Sequence, residues 1–147
     1  MTDRTFVDTN VWVYALDDDE PAKQTRARQV LVPGPETDFV ISAQVLGEFF
    51  VVVTRKLARP VPLGEADLLV ERMAQLPVVG IDASLVRAAI ATSRACAISY
   101  WDALIIAAAE AAGCRRILSE DLAHGETYGS VRVENPFLDM PAEAGRR

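Results

Sequence analysis

From Ser99 to Gly113 the chain reads Ser-Tyr-Trp-Asp-Ala-Leu-Ile-Ile-Ala-Ala-Ala-Glu-Ala-Ala-Gly, a helix with both ends written in. Ser99 is an N-cap residue, Ala, Leu and Ile fill the interior, and Gly113 can take the left-handed conformation that closes a helix. Asp102 and Glu110 are its only charges. A helix that is apolar nearly all round must be covered on most faces, so the chain has to wrap layers of structure about it. Asp102 shares a row with Ile105, Ile106 and Ala109, and a carboxylate there needs a reason. Either Ser99-x-x-Asp102 is a capping box at the positive end of the helix dipole, or the helix presents Asp102 to a site with other acids and a cation.

The flanking sequence alternates strand and helix. Short apolar runs at Thr5–Val7, Phe39–Ile41, Val78–Ile81, Arg116–Leu118 and Val131–Val133 read as strands. Between them, helical spacing runs from Val11 to Leu16, Pro21 to Leu31, Ala43 to about Ala58, Gly64 to Leu76, and from an Asp82 cap to about Ala95. Ser42 is a candidate cap for the third of these, and Leu68, Leu69, Arg72, Met73 and Leu76 mark the expected face of the fourth. The loop around His124, marked by Gly125 and Gly129, carries no expected strand. The pattern predicts one α/β domain over residues 1–138, with a central parallel sheet of about five strands and helices on both faces, followed by a loose tail over 139–147. In such sheets the binding crevice lies outside the carboxyl ends of the strands.

Charge narrows the function. The 147 residues carry a formal net charge of −6, so the overall field does not attract nucleic acid, and a polyanion would have to be held by local basic groups or by metal. Two separated cysteines and a single histidine cannot form a Cys/His zinc site. There is no signal-peptide pattern and no apolar run of membrane-spanning length, which predicts a reduced, cytoplasmic protein without a membrane partner. The acidic run Asp17-Asp18-Asp19-Glu20 reads as solvated surface that ends the first helix.

Four acids fall where the crevice should be. Asp8 ends the first strand, Glu48 flanks the apolar stripe of the helix after the second, Asp102 opens the central helix, and Asp121 follows the fourth strand. Each alone has a structural explanation as a cap, a solvated edge or a turn residue. Together they cannot converge unaided, because two like charges about 4 Å apart repel by roughly 4 kcal/mol at an effective dielectric near 20. A hard divalent cation resolves this: Mg²⁺ or Mn²⁺ takes oxygen ligands, keeps waters and completes its shell with substrate phosphate. The pattern points to metal-assisted chemistry on a phosphate ester.

The blocks Phe6-Val7-Asp8-Thr9-Asn10-Val11, Gln44-Val45-Leu46-Gly47-Glu48-Phe49, Ser99-Tyr100-Trp101-Asp102-Ala103-Leu104-Ile105 and Leu118-Ser119-Glu120-Asp121-Leu122, closing with Asn135-Pro136-Phe137, together resemble a PIN-domain ribonuclease of the VapC toxin type. The resemblance covers residues 5 to 138. It implies a Mg²⁺- or Mn²⁺-dependent endoribonuclease of a type II toxin–antitoxin module, neutralised by a cognate antitoxin and forming a homodimer. Asp8, Glu48, Asp102 and Asp121 correspond to the family's acidic quartet, with the metal on Asp8 and Asp102 and with Glu48 or Asp121 contributing. Thr9, Asn10 and Ser119 correspond to supporting polar groups. Glu120 adjoins the fourth acid, and family register favours Asp121. Gly47 stands where a larger residue is usual.

In the mechanism so implied, metal-activated water attacks the RNA phosphodiester in line and leaves a 5′-phosphate. Lys23, Arg26, Arg28, Arg55, Lys56, Arg115 and Arg116 are candidates for RNA backbone contacts. Alternatives are a PIN-fold RNA-processing or RNA-binding protein outside toxin–antitoxin systems, a catalytically silent relative, and an aspartate-dependent phosphatase or receiver-like module. A phosphatase of the haloacid-dehalogenase kind wants a second acid two residues after the first, where this chain has Asn10.

Overall fold

The computed structural model describes residues 3–35 and 37–140. Among them the elements run β1 (Asp3–Val7), α1 (Thr9–Tyr14), α2 (Pro21–Val30), β2 (Thr37–Ser42), α3 (Ala43–Arg55), α4 (Leu63–Met73), β3 (Val78–Val79), α5 (Ala83–Cys96), α6 (Tyr100–Ala111), β4 (Arg116–Leu118), β5 (Thr127–Tyr128) and β6 (Val131–Glu134). The strands form one sheet in the order β3-β2-β1-β4-β6-β5. Every pairing is parallel except that of β5 with β6.

The sheet has one strand more than expected. β5 is two residues long, lies in the loop around His124, and is too short to carry a period. Its antiparallel pairing with β6, Thr127 opposite Arg132 and Tyr128 opposite Val131, depends on the return of the chain at Gly129, which has a positive φ. Residues 141–147 of the expected tail lie outside the described residues.

The expected caps form. Ser42 Oγ accepts from Val45 N–H, Asp82 from Leu85 N–H, and Ser99 from Asp102 N–H. Pro21 stands at the first turn of α2. Gly113, just beyond α6, has φ +72°, the left-handed closure that favours glycine.

Alternation along the strands makes two cores. Phe6, Val40, Ile117 and Val133 point to the face covered by α3, α5 and α6. Val7, Phe39 and Leu118 point to the other face, where they pack with Val11, Ala27 and Phe137. The seven consecutive residues Ala103 to Ala109 of α6 are all buried, as a helix apolar on every side requires.

Two details differ from the sequence reading. On α4 the buried face runs through Ala66, Leu69, Val70 and Met73, while Leu68 is 59% exposed and Arg72 faces solvent. The period is helical but its phase is set by α3, against which α4 packs, and small Ala66 allows the close approach. Between α5 and α6, Ala97 adopts φ 54°, ψ 44°, left-handed for a residue with a Cβ and therefore strained. Ser93 Oγ donates to the Ile98 carbonyl at 2.6 Å and supports this turn, which folds α6 back against α5.

Candidate active site at the carboxyl edge of the sheet

Strand order reverses at β1: β2 and β3 lie to one side, β4 and β6 to the other. The crevice at such a switch point opens beyond the carboxyl ends of the two central strands, here just past Val7 and Leu118. The ladder runs one step further, with Asp8 N–H donating to the Leu118 carbonyl at 3.0 Å, so Asp8 and Ser119 emerge side by side.

Asp8 is the anchor. It caps α1, its Oδ1 accepting from Thr9 N–H at 2.8 Å, and its Oδ2 accepts from Ser119 Oγ at 2.7 Å. The residue is only 6% exposed. Burial pushes its carboxyl up to about 6; the Ser119 and Thr9 hydrogen bonds work against this, and the charges of Asp121 and Glu48 add to the rise. The carboxylate is thus held by neutral donors and crowded by two acids.

Around it, Thr9 and Asn10 divide the acids between them. Thr9 Oγ1 donates to Glu48 Oε2 at 3.1 Å, while Asn10 Nδ2 donates to Asp121 Oδ2 at 3.2 Å and Asn10 Oδ1 accepts from Glu120 N–H at 3.1 Å. Ser119 Oγ also accepts from Asp121 N–H at 3.1 Å, which shapes the turn after β4. Glu120 turns away, pairing with Lys23 at 2.7 Å and accepting from the Tyr14 hydroxyl at 2.6 Å, whereas Asp121 shares the Asn10 amide nitrogen with Asp8 and its charge bears on Asp8.

Asp102 lies in the first turn of α6. Its α6 turn does reach this edge, because Gln44 Nε2 donates both to Glu48 Oε1 at 2.7 Å and to the Trp101 carbonyl at 3.3 Å, clamping α3 to the start of α6. The carboxylate itself makes no hydrogen bond to Asp8, Glu48 or Asp121 among the described residues. Its charge bears on the Tyr128 phenol instead. Nor do any three acids among the described residues stand close enough to share a metal ion. Glu48 and Asp121 are exposed side chains, held by Thr9 and Gln44 and by Asn10 respectively. The donor set is oxygen only, which suits Mg²⁺ or Mn²⁺.

Gln44 was not singled out in the sequence. It is buried, and its Oε1 is the one buried side-chain atom without a partner among the described residues; both amide hydrogens are spent on the clamp. The signal was present, since Gln44 lies one turn before Glu48 and shares its face. The neighbouring Gly47 meets nothing within 4 Å of where a Cβ would stand. Gly47→Ala is therefore expected to raise stability by about 0.5–1 kcal/mol through helix propensity, read as a higher urea midpoint at unchanged slope; an unchanged or lower midpoint would show that the open surface beside Glu48 is not free.

The basic candidates do not gather here. Lys23 is committed to Glu120 and Tyr14. Arg26 and Arg28 donate to the carbonyls of Pro136 and Ala15. Arg55 and Lys56 lie at the far end of α3 from Gln44. Arg115 and Arg116 stand at the start of β4, at the amino edge, in a cleft of about 670 Å³ shared with Arg4 and Arg132. Arg116 is there paired with Glu134 at 3.1 Å. The three residues of β4 separate the two edges, so Arg115 and Arg116 stand at the opposite end of the strand from Asp121.

Solved structures of similar fold include VapC20 of Mycobacterium tuberculosis, a toxin that cleaves the sarcin–ricin loop (18% identity, TM-score 0.60, covering 80% of this chain and 89% of that one). A toxin–antitoxin complex from Klebsiella pneumoniae is also similar (16%, TM-score 0.66, 90% and 98%). So is VapBC2 of Rickettsia felis bound to a promoter DNA fragment (16%, TM-score 0.62, 90% and 98%). No curated protein sequence matches the chain. The family model described as "PIN domain" matches residues 5–129, a span that includes Asp8, Glu48, Asp102 and Asp121, and the chain belongs to the PIN domain family.

Proposed function

We propose that this chain is a Mg²⁺- or Mn²⁺-dependent endoribonuclease, the toxin of a toxin–antitoxin pair, and that it works as a homodimer held inactive by a cognate antitoxin. The observation that carries the reading is Asp8, a buried carboxylate at the switch point of a parallel sheet, raised to about 6 by burial and crowded by Glu48 and Asp121. Such crowding is what a hard cation relieves. The likeness to toxins of known structure supports the choice of RNA and of an antitoxin partner.

In this reading Asp8 is the buried ligand, and Glu48, Asp121 and Asp102 would supply the remaining carboxylate oxygens. A bound cation supplies an activated water and neutralises charge on the scissile phosphate. The protein's own work is positional. Ser119 and the Thr9 amide hold the Asp8 carboxylate against rotation, Thr9 and Gln44 hold Glu48 by both oxygens, and Asn10 holds Asp121. Such hydrogen-bonded support of ligands is commonly worth about 10- to 100-fold in metal affinity or activity.

The test is cleavage of single-stranded RNA by the purified chain, present with Mg²⁺ or Mn²⁺, absent with EDTA, and absent in Asp8→Asn. Cleavage that survives EDTA would reject the metal, and no cleavage of any RNA would reject the activity. Metal is also expected to stabilise the fold, by about 2.7 kcal/mol at a hundredfold excess over Kd. Identical melts in millimolar Mn²⁺ and in EDTA would count against a site formed by these acids.

A further inference from the structure

Trp101 is 64% exposed, unusual for the largest apolar side chain. It precedes Asp102 in α6, and among the described elements that carry the four acids the only other exposed large hydrophobic residue is Val51 of α3, at 42%. The Trp101 carbonyl accepts from the same Gln44 amide nitrogen that holds Glu48, which fixes its backbone within reach of the acids.

The indole is also oriented. Tyr100 lies against it with ring centroids 5.0 Å apart at 76°, an edge-to-face contact that covers at most one face of the ring. An apolar ring immobilised with a face toward solvent has given up side-chain freedom without gaining burial of that face.

We infer that Trp101 is a stacking platform for a nucleobase of the substrate. This rests on the ribonuclease reading and deepens it. A nucleotide whose phosphate lies at the carboxylates carries its base one ribose away, and a base has an aromatic face that an indole can take whatever its sequence identity. The acidic crevice repels the phosphates that it must hold, so affinity for RNA has to come from neutral contacts beside it. A protein partner would instead bury an apolar patch, whereas Trp101 is the single exposed large hydrophobic residue of α6.

The experiment compares the full-length parent with Trp101→Ala, Trp101→Tyr and Trp101→Leu, using a short single-stranded RNA and the same RNA with one abasic nucleotide at successive positions around the cut. Trp101→Ala is expected to raise KM by about 5- to 100-fold, the worth of one stacked base, with kcat changed only severalfold. Tyr should restore most of the loss and Leu should not. One abasic position should erase the difference between parent and Trp101→Ala. A KM within twofold of the parent would overturn the inference, as would rescue by Leu equal to that by Tyr. A change of oligomeric mass in Trp101→Ala that accounts for lost activity would overturn it in favour of a protein contact.

A second measurement separates this inference from the reading beneath it. In EDTA, where no cutting is expected, RNA should quench tryptophan fluorescence in the parent but not in Trp101→Phe, which leaves only Trp12, held by its Nε1–H to the Val7 carbonyl at 3.2 Å. A sugar-phosphate chain without bases should not quench. If the parent cleaves RNA but shows neither the KM effect nor the quenching, stacking fails and the nuclease reading stands. If quenching appears without any cleavage, the nuclease reading fails and base binding stands. Absence of both rejects the two together.

Discussion

At pH 8 and without metal, Asp8→Asn is expected to melt at a higher temperature than the parent while cleaving no RNA. The carboxyl of Asp8 stands at about 6 in the folded chain against 3.8 for the free group. Folding therefore disfavours its ionised form. The sign follows from linkage: the penalty is fully present above about pH 6 and disappears below about pH 3.8, where the group is protonated in both states. A shift of this size corresponds to about 3 kcal/mol. Asn removes the charge but turns one acceptor into a donor where Ser119 Oγ now gives its hydrogen, at a cost of about 1 kcal/mol. The net gain is about 2 kcal/mol at pH 8, or about 4–8 °C in a chain of this size. It should shrink as the pH falls through 6 and reverse near 4, where only the lost hydrogen bond remains. The same substitution removes the fixed ligand, so Mn²⁺ should no longer raise the melting temperature, and cleavage should fall by at least about a thousandfold. A variant less stable than the parent at pH 8 would mean that the ionised Asp8 is not a net penalty in the folded chain.

Asp102→Asn is expected to lose cleavage almost as completely but to move stability the other way. Asp102 is the third residue of α6, and its amide is bonded to Ser99 Oγ at 3.1 Å. Removing its charge weakens the interaction with the helix dipole, worth about 0.3–1 kcal/mol. The sequence places Asp102 among crowded acids, where loss of its charge would relieve repulsion and leave the metal-free protein as stable as the parent or more so. In the structure Asp102 is not among the charges that raise Asp8, which are those of Asp121 and Glu48, so the dipole loss prevails. A small destabilisation, loss of the Mn²⁺ effect and loss of RNA cleavage by orders of magnitude would together identify a ligand recruited only when the cation arrives. Near-parental cleavage by Asp102→Asn would identify a helix cap and nothing more. Combined with Asp8→Asn it should cost little further activity, because groups that act as one unit are not additive.

The sequence determined by itself what depends on short spacing. Ser42, Asp82, Ser99, Pro21 and Gly113 each act within one helical turn, so the starts of four helices and the closure of α6 could be read from local pattern. Alternation of strand with helix implied a parallel sheet, and the rule for such sheets sent Asp8 and Asp121 to one edge. The tertiary structure decided everything that turns on phase, rotamer or register. Which side of α4 is buried depends on α3, since a helix with apolar residues in two overlapping rows has no preference of its own. That Glu120 leaves the crevice for Lys23 and Tyr14 while Asp121 stays follows from a single turn of backbone built on Ser119 and Asn10. Arg115 and Arg116 are near Asp121 in sequence and at the other edge in space, because the intervening residues are a strand. Gln44 showed its role only when α3 and α6 met. Where Asp102 stands at this edge is likewise set by the Gln44 clamp between α3 and the start of α6, a contact between residues far apart in the chain that local spacing cannot express.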